Sequence, residues 1–128
     1  MAAMYQVDIK ETSRELSKVD RIKLKDFGNA TKFDDIVSTE QSAIIVPEAY
    51  AVVTIHNPKA EGGQYDAIIV TTAEGEKFMT GSKTFIERFL DIWHEMRDDG
   101  TSDEFSVEVY KRESNNYKGK YFLGCSLA

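Results

Sequence analysis

Cysteine occurs once, at Cys125, so the chain can build neither an internal disulfide nor a cysteine metal cluster. Apolar runs are short. Ala43–Val46 and Ala67–Val70 stop after four residues, against the ~20 that a membrane-spanning helix needs. Residues 1–8 have neither a basic stretch nor an apolar core, so no secretory signal is expected. Together these absences point to a reducing cytoplasm and no membrane partner. Positive charge is also scarce. Sixteen Lys and Arg stand against 22 Asp and Glu, a net charge of −6, which argues against holding duplex DNA by bulk charge. What remains is an ordinary composition, 41% hydrophobic and 30% charged over 128 residues, which fits one domain, residues 1–128, with a core of its own.

The charge is uneven. Residues 84–104 carry Arg88 and Arg97 against Glu87, Asp91, Glu95, Asp98, Asp99, Asp103 and Glu104. Residues 105–128 carry Lys111, Arg112, Lys118 and Lys120 against Glu108 and Glu113. An acidic helix followed by a basic pair of strands presents either two solvated faces or a local anion-binding surface.

Period-two alternation of Tyr5, Val7 and Ile9 predicts a strand over residues 5–10. Thr12-Ser13-Arg14-Glu15 has capping-box spacing, which predicts a helix running to about Asp26 and stopped by Gly28-Asn29. Its apolar side, Leu16, Val19 and one of Leu24 or Phe27, is thin, so residues 1–42 read as an appendage on a body formed by residues 43–128. In that body, residues 43–46 and 50–56 are rich in β-branched side chains, with Pro47 and Glu48 marking a bend or an edge between them. Turn chemistry over 57–63 leads to a strand over 64–72, a tight turn at 73–76 and a short strand over 77–80, an antiparallel meander. Phe85, Ile86, Phe89, Leu90, Trp93 and Met96 recur at spacings of three and four, which predicts a helix over 84–96 capped at Thr84 or Ser82. Phe105, Val107 and Val109 alternate in the next strand, with Tyr110 on its other face. A loop over 113–119 leads to a last strand over 121–127.

The fold class is therefore α+β. The order strand-strand-strand-helix-strand-strand predicts an antiparallel sheet closing into an OB-like barrel with the helix plugging one end, the N-terminal strand and helix being appended. An unrelated α+β sheet with two helices has the same local signals.

The richest stretch for binding is residues 110–122, where Tyr110, Tyr117, Tyr121 and Phe122 interleave with Lys111, Arg112, Lys118 and Lys120. Single strands ask for that mixture, since cations follow phosphates and flat rings stack on bases. Asn115 adds a hydrogen-bonding group in the loop. A polar hairpin with ordinary strand aromatics would read the same way. A second group, Lys77, Phe78 and Lys83, surrounds Thr80-Gly81-Ser82 at the start of the helix, where free N–H groups suit a phosphate or carboxylate. The P-loop pattern is absent there, and a capped helix after a glycine turn explains the same residues. The helix stripe reads as core. Catalytic material is poor. His56 and His94 lack metal-ligand spacing, Cys125 lies in a strand that reads as buried, and the acid pairs Asp34-Asp35 and Asp98-Asp99 sit in turn-like places. No enzyme, cofactor or metal is expected.

Residues 50–57, Thr80-Gly81-Ser82 before Phe85, Tyr110-Lys111-Arg112 and residues 114–120 resemble small single-stranded-DNA-binding proteins of bacteriophages and mobile elements of Gram-positive bacteria. The resemblance covers residues 43–127. It implies single-stranded DNA as the ligand, a part in DNA replication and a cytoplasmic place in a bacterial host cell. The cations, rings and amide read above, Lys77, Phe78, Lys83, Tyr110, Lys111, Arg112, Asn115, Tyr117, Lys118 and Lys120, are the expected contacts. The chain departs from many bacterial single-strand binders in ending Gly124–Ala128, at the predicted last strand, so recruitment through a flexible acidic tail is not expected. The acidic helix supports a different class, a small phage-type inhibitor that contacts a host nuclease or defence complex by imitating nucleic acid. Host or phage replication and defence proteins are candidate partners, and exposed edge strands allow a homodimer.

Overall fold

The computed structural model describes residues 6–13, 17–19, 22, 30–56, 63–97, 105–113 and 119–128. In chain order its elements are β1 (Gln6–Thr12), β2 (Thr31–Lys32), a 3₁₀ turn (Phe33–Asp35), β3 (Ala43–Ile45), β4 (Pro47–His56), β5 (Gln64–Thr72), β6 (Lys77–Thr80), α1 (Lys83–Arg97), β7 (Val107–Glu113) and β8 (Tyr121–Leu127). The class is α+β, dominated by antiparallel strands, as the sequence predicts. No described helix is long and apolar enough to cross a membrane.

The strands form two sheets, one ordered β1-β4-β5-β6-β2 and the other β3-β7-β8. The ladders are antiparallel except that between β2 and β6. β3 and β4 are one strand bent at Val46 and Pro47, which carries the chain from one sheet into the other. Proline has no N–H to give a ladder, and the β4–β5 register shifts between Pro47 and Ala49. The bend foreseen at Pro47 is thus the joint between the sheets.

Side chains alternate along β4. Tyr50 and Val52 enter the central cluster, while Val53 and Ile55 enter a second cluster with Val7, Ala67 and Ile69. The five-stranded sheet therefore buries apolar side chains on both of its faces. The central cluster also takes Phe85, Phe89, Ile92 and Trp93 from α1, and Val107, Val109, Leu123 and Cys125 from the three-stranded sheet. An aromatic row crosses it. Ring centroids are 4.8 Å apart for Phe33–Phe85, 5.8 Å for Phe85–Phe89 and 6.1 Å for Phe89–Trp93.

Two expectations about the N-terminal part change. β1 runs on to Thr12, and Ser13 exchanges bonds with Tyr50 that hold this stretch along β4, while Arg14 and Glu15 of the expected capping box lie outside the described residues. The Ser13 amide donates to the Tyr50 carbonyl at 3.0 Å, and the Tyr50 amide donates to Ser13 Oγ at 2.9 Å. Of the helix expected to run to about Asp26, Lys18, Val19 and Ile22 are helical. Val19 and Ile22 are 60% and 70% exposed, so Val19 does not turn inward. The rest of that segment, including its glycine stop, lies outside the described residues. Phe33 and Val37, by contrast, are buried in the central cluster of the body.

That burial bears on the barrel. No ladder joins β6 to β8 among the described residues, and the sheets form no closed barrel. The edge of β6 that would meet β8 is occupied by β2, through Thr31 opposite Phe78 and Lys32 opposite Met79. Phe33 follows as a wedge with no exposed surface. Lys111 Nζ lies 3.0 Å from Asp34 Oδ1 and ties the turn to β7.

Candidate functional site

The three-stranded sheet has one buried face and one open face. Ala43, Ile45, Val107, Val109, Leu123 and Cys125 point to the core. Ile44, Glu108, Tyr110, Arg112, Phe122, Gly124 and Ser126 alternate onto the outward side. There Ile44 is 66% exposed, Arg112 is exposed, and Tyr110 and Phe122 are half-buried.

Register builds the centre of this face. Tyr110 pairs across the ladder with Gly124, and Arg112 with Phe122. The Tyr110 ring lies over Gly124 so closely that a Cβ there would sit 2.8 Å from Cε1. The Arg112 guanidinium carbon is 4.1 Å from the ring centroid, within the range of a cation–π contact. Glu108, the acid of this face, accepts a hydrogen bond from Ser42 Oγ at 2.6 Å. No carboxylate pairs with Arg112 among the described residues. The arrangement offers an exposed planar cation on an aromatic seat, beside a second ring.

The ten residues singled out from the sequence are not one site in the fold. Tyr110 and Arg112 share the outward face, and exposed Lys120 immediately precedes β8. Lys111 alternates to the inner side and pairs with Asp34. Phe78 is buried and stacked on Phe33 with centroids 5.3 Å apart, so its ring is spent on packing. Lys77 shares a face of β6 with Met79, on the side of the second cluster. Lys83 lines an open groove of about 420 Å³ with Tyr65, Asp66, Gly81, Ile86 and Glu87. Asn115, Tyr117 and Lys118 lie outside the described residues. Phe122 belongs to the ring-and-cation stretch read from the sequence but not to the ten contacts, and Gly124 was not singled out. Period two from Tyr110 and from Phe122 would have found them once the register of β7 and β8 was fixed.

The first turn of α1 is closed by side chains. Ser82 Oγ accepts from the Phe85 amide at 3.3 Å and donates to the Leu123 carbonyl at 3.2 Å, which ties the helix start to β8. Burial pushes the Cys125 thiol up to about 12, so it stays protonated and unreactive. His56 Nε2 lies 2.8 Å from Asp8 Oδ2 and His94 Nε2 lies 3.9 Å from Glu11 Oε2, so both histidines face acids of β1. Among the described residues no group of three or more His, Cys, Asp or Glu side chains could hold a metal ion.

Comparison with models of protein families, with curated proteins and with solved structures gives no match for this chain.

Proposed function

We propose that the protein binds single-stranded DNA, without catalysis, on the outward face of β3, β7 and β8. One observation carries the reading: Tyr110, Arg112 and Phe122 share an open sheet face next to the lysine-bearing hairpin. Exposed rings and cations on a sheet are the combination that single strands use, with stacking for the bases and charge for the phosphates. The five-stranded sheet is a poorer candidate, because both its faces carry buried apolar side chains. The fold is read as an opened relative of the OB barrel. The bent β3–β4 strand, β5, β6, α1, β7 and β8 follow that barrel's order, with β2 in place of the closing pair. This fits the resemblance to phage and mobile-element proteins, and with it a bacterial cytoplasm, no cofactor and replication proteins as neighbours.

The test is a fluorescence titration with an oligonucleotide of about 30 nucleotides, long enough for at least one site, over about 50–200 mM salt. Saturable binding that weakens with salt is expected. Lys120→Ala should reduce the slope of log K against log salt by about 0.7, the single-strand value per lost contact. Absence of saturation up to roughly tens of micromolar, the range of non-specific binding, would sink the reading.

A second reading rests on α1. Glu87, Asp91 and Glu95 stand exposed on successive turns, with no cation paired to them among the described residues. Carboxylates about 6 Å apart along a helix can imitate phosphates toward a nucleic-acid-binding partner. That reading expects no DNA binding by the parent, and loss of partner inhibition when Glu87, Asp91 and Glu95 are neutralised together.

A further inference from the structure

Resting on the reading that this face binds single strands, we infer that Arg112, not Tyr110, is the side chain on which a base stacks, and that Gly124 is the positioning residue beneath it. A ring accepts a base only on a free face, and the half-buried Tyr110 ring is engaged from two sides. Its outer end lies against β8, where a Cβ at position 124 would stand 2.8, 3.0 and 3.1 Å from Cε1, Cζ and the phenol Oη. One face carries Arg112, whose guanidinium carbon is 4.1 Å from the ring centroid. The side of Arg112 turned away from the ring is open, and no acid among the described residues competes for it. A guanidinium is planar and weakly hydrated, so it stacks on a base through its plane while its edge N–H groups reach a neighbouring phosphate. Phe122, directly across the ladder, puts a second apolar surface beside the same base. The aromatic seat fixes the arginine, and glycine lets the seat lie flat.

This exchanges the roles that charge and ring type suggest, and the exchange is testable. Arg112→Lys keeps the charge and loses the plane. It should weaken binding of a thymidine oligonucleotide about tenfold, within the range for one lost stacking contact, and leave the salt slope as in the parent. Gly124→Ala should lift the ring and weaken binding similarly. In a Tyr110→Ala background, where the seat is already gone, Gly124→Ala should add nothing. Circular dichroism and melting checked alongside separate a lost seat from a lost fold, and Arg112→Lys, at an exposed position, carries the test if Gly124→Ala misfolds. Parent-like affinity for Arg112→Lys would overturn the inference and leave the functional reading standing. So would a weakening fully explained by a smaller salt slope. Additive effects of Tyr110→Ala and Gly124→Ala would remove Gly124 from it. If the parent itself does not bind, the functional reading falls and takes the inference with it.

Discussion

The two sheets share a bent strand but treat their faces differently. In β4, seven of ten residues are buried, on both sides of the strand. In β7, burial alternates from Val107 to Tyr110 and then ends at exposed Arg112 and Glu113. A sheet covered on both faces works as scaffold, and its strands read as near-continuous apolar runs. A sheet with one open face has room to meet a ligand. Residue type alone does not separate these cases. Phe78 and Phe122 are both strand phenylalanines near lysines. One is fixed in the core against Phe33, and the other stands half-open beside Arg112.

The sharpest way to break the comparison is to empty the core on which both sheets rest. Phe89 has no exposed surface and lies between Phe85 and Trp93 in the aromatic row. Phe89→Ala should cost ~3–5 kcal/mol in denaturant melts, transfer and cavity together. Phe33→Ala should cost about as much, ~3–5 kcal/mol, because its ring packs on Phe78 and Phe85. A loss below ~1 kcal/mol for Phe33→Ala would mean that the segment from β2 through the 3₁₀ turn only leans on the body.

A smaller change sharpens the contrast between faces. Ile69 belongs to the second cluster and is 2% exposed, while Ile44 on the outward face of β3 is 66% exposed. Ile69→Ala should cost ~2–5 kcal/mol, and Ile44→Ala should stay within about 0.5 kcal/mol. Equal costs would show that the two faces do not differ in burial.

What the sequence made legible follows the same division. The β7 alternation is visible because one side meets water, and it correctly sends Tyr110 away from Val107 and Val109. The spacing of Phe85, Phe89 and Trp93 gave α1 to within a residue at each end, because the apolar stripe is wide and uninterrupted. Phe33 was missed because it sits among Lys32, Asp34 and Asp35, where the local signal is that of a polar turn. Its burial depends on a two-residue parallel pairing with a strand some forty-five positions on. The extension of β1 to Thr12 was missed because its partners, Val52 and Ala51, lie across the ladder on β4 and leave no local signal. The open platform was half legible. Its cations and rings are in the sequence, but the seat of Tyr110 on Gly124 is a cross-strand fact, and register is not written locally. Lys111 and Arg112 were grouped as equals, although period two already puts neighbours on opposite faces.

The smallest expected effect concerns the polar end of the five-stranded sheet, where its burial gives way to water. Asp66 accepts hydrogen bonds from Thr54 Oγ1 at 2.8 Å and from Lys10 Nζ at 3.0 Å, tying β5 to β4 and to β1. The Thr54 bond, then the Lys10 bond and its charge, hold this carboxyl below its ordinary value of 3.8 against a modest opposing effect of burial. A carboxyl whose folded value is depressed stabilises the fold fully above its unfolded value, and the contribution is lost as pH falls through the folded one. The side chain is 41% exposed, so screening limits the contribution to about 1 kcal/mol or less. Asp66→Asn should therefore lower stability by that amount near neutral pH. The gap to the parent should narrow from about pH 4 downward, as the parent's own carboxyl takes up its proton. Urea midpoints at neutral pH and near pH 3 measure it. A gap of the same size at both would mean that the shape of the side chain matters there and its charge does not.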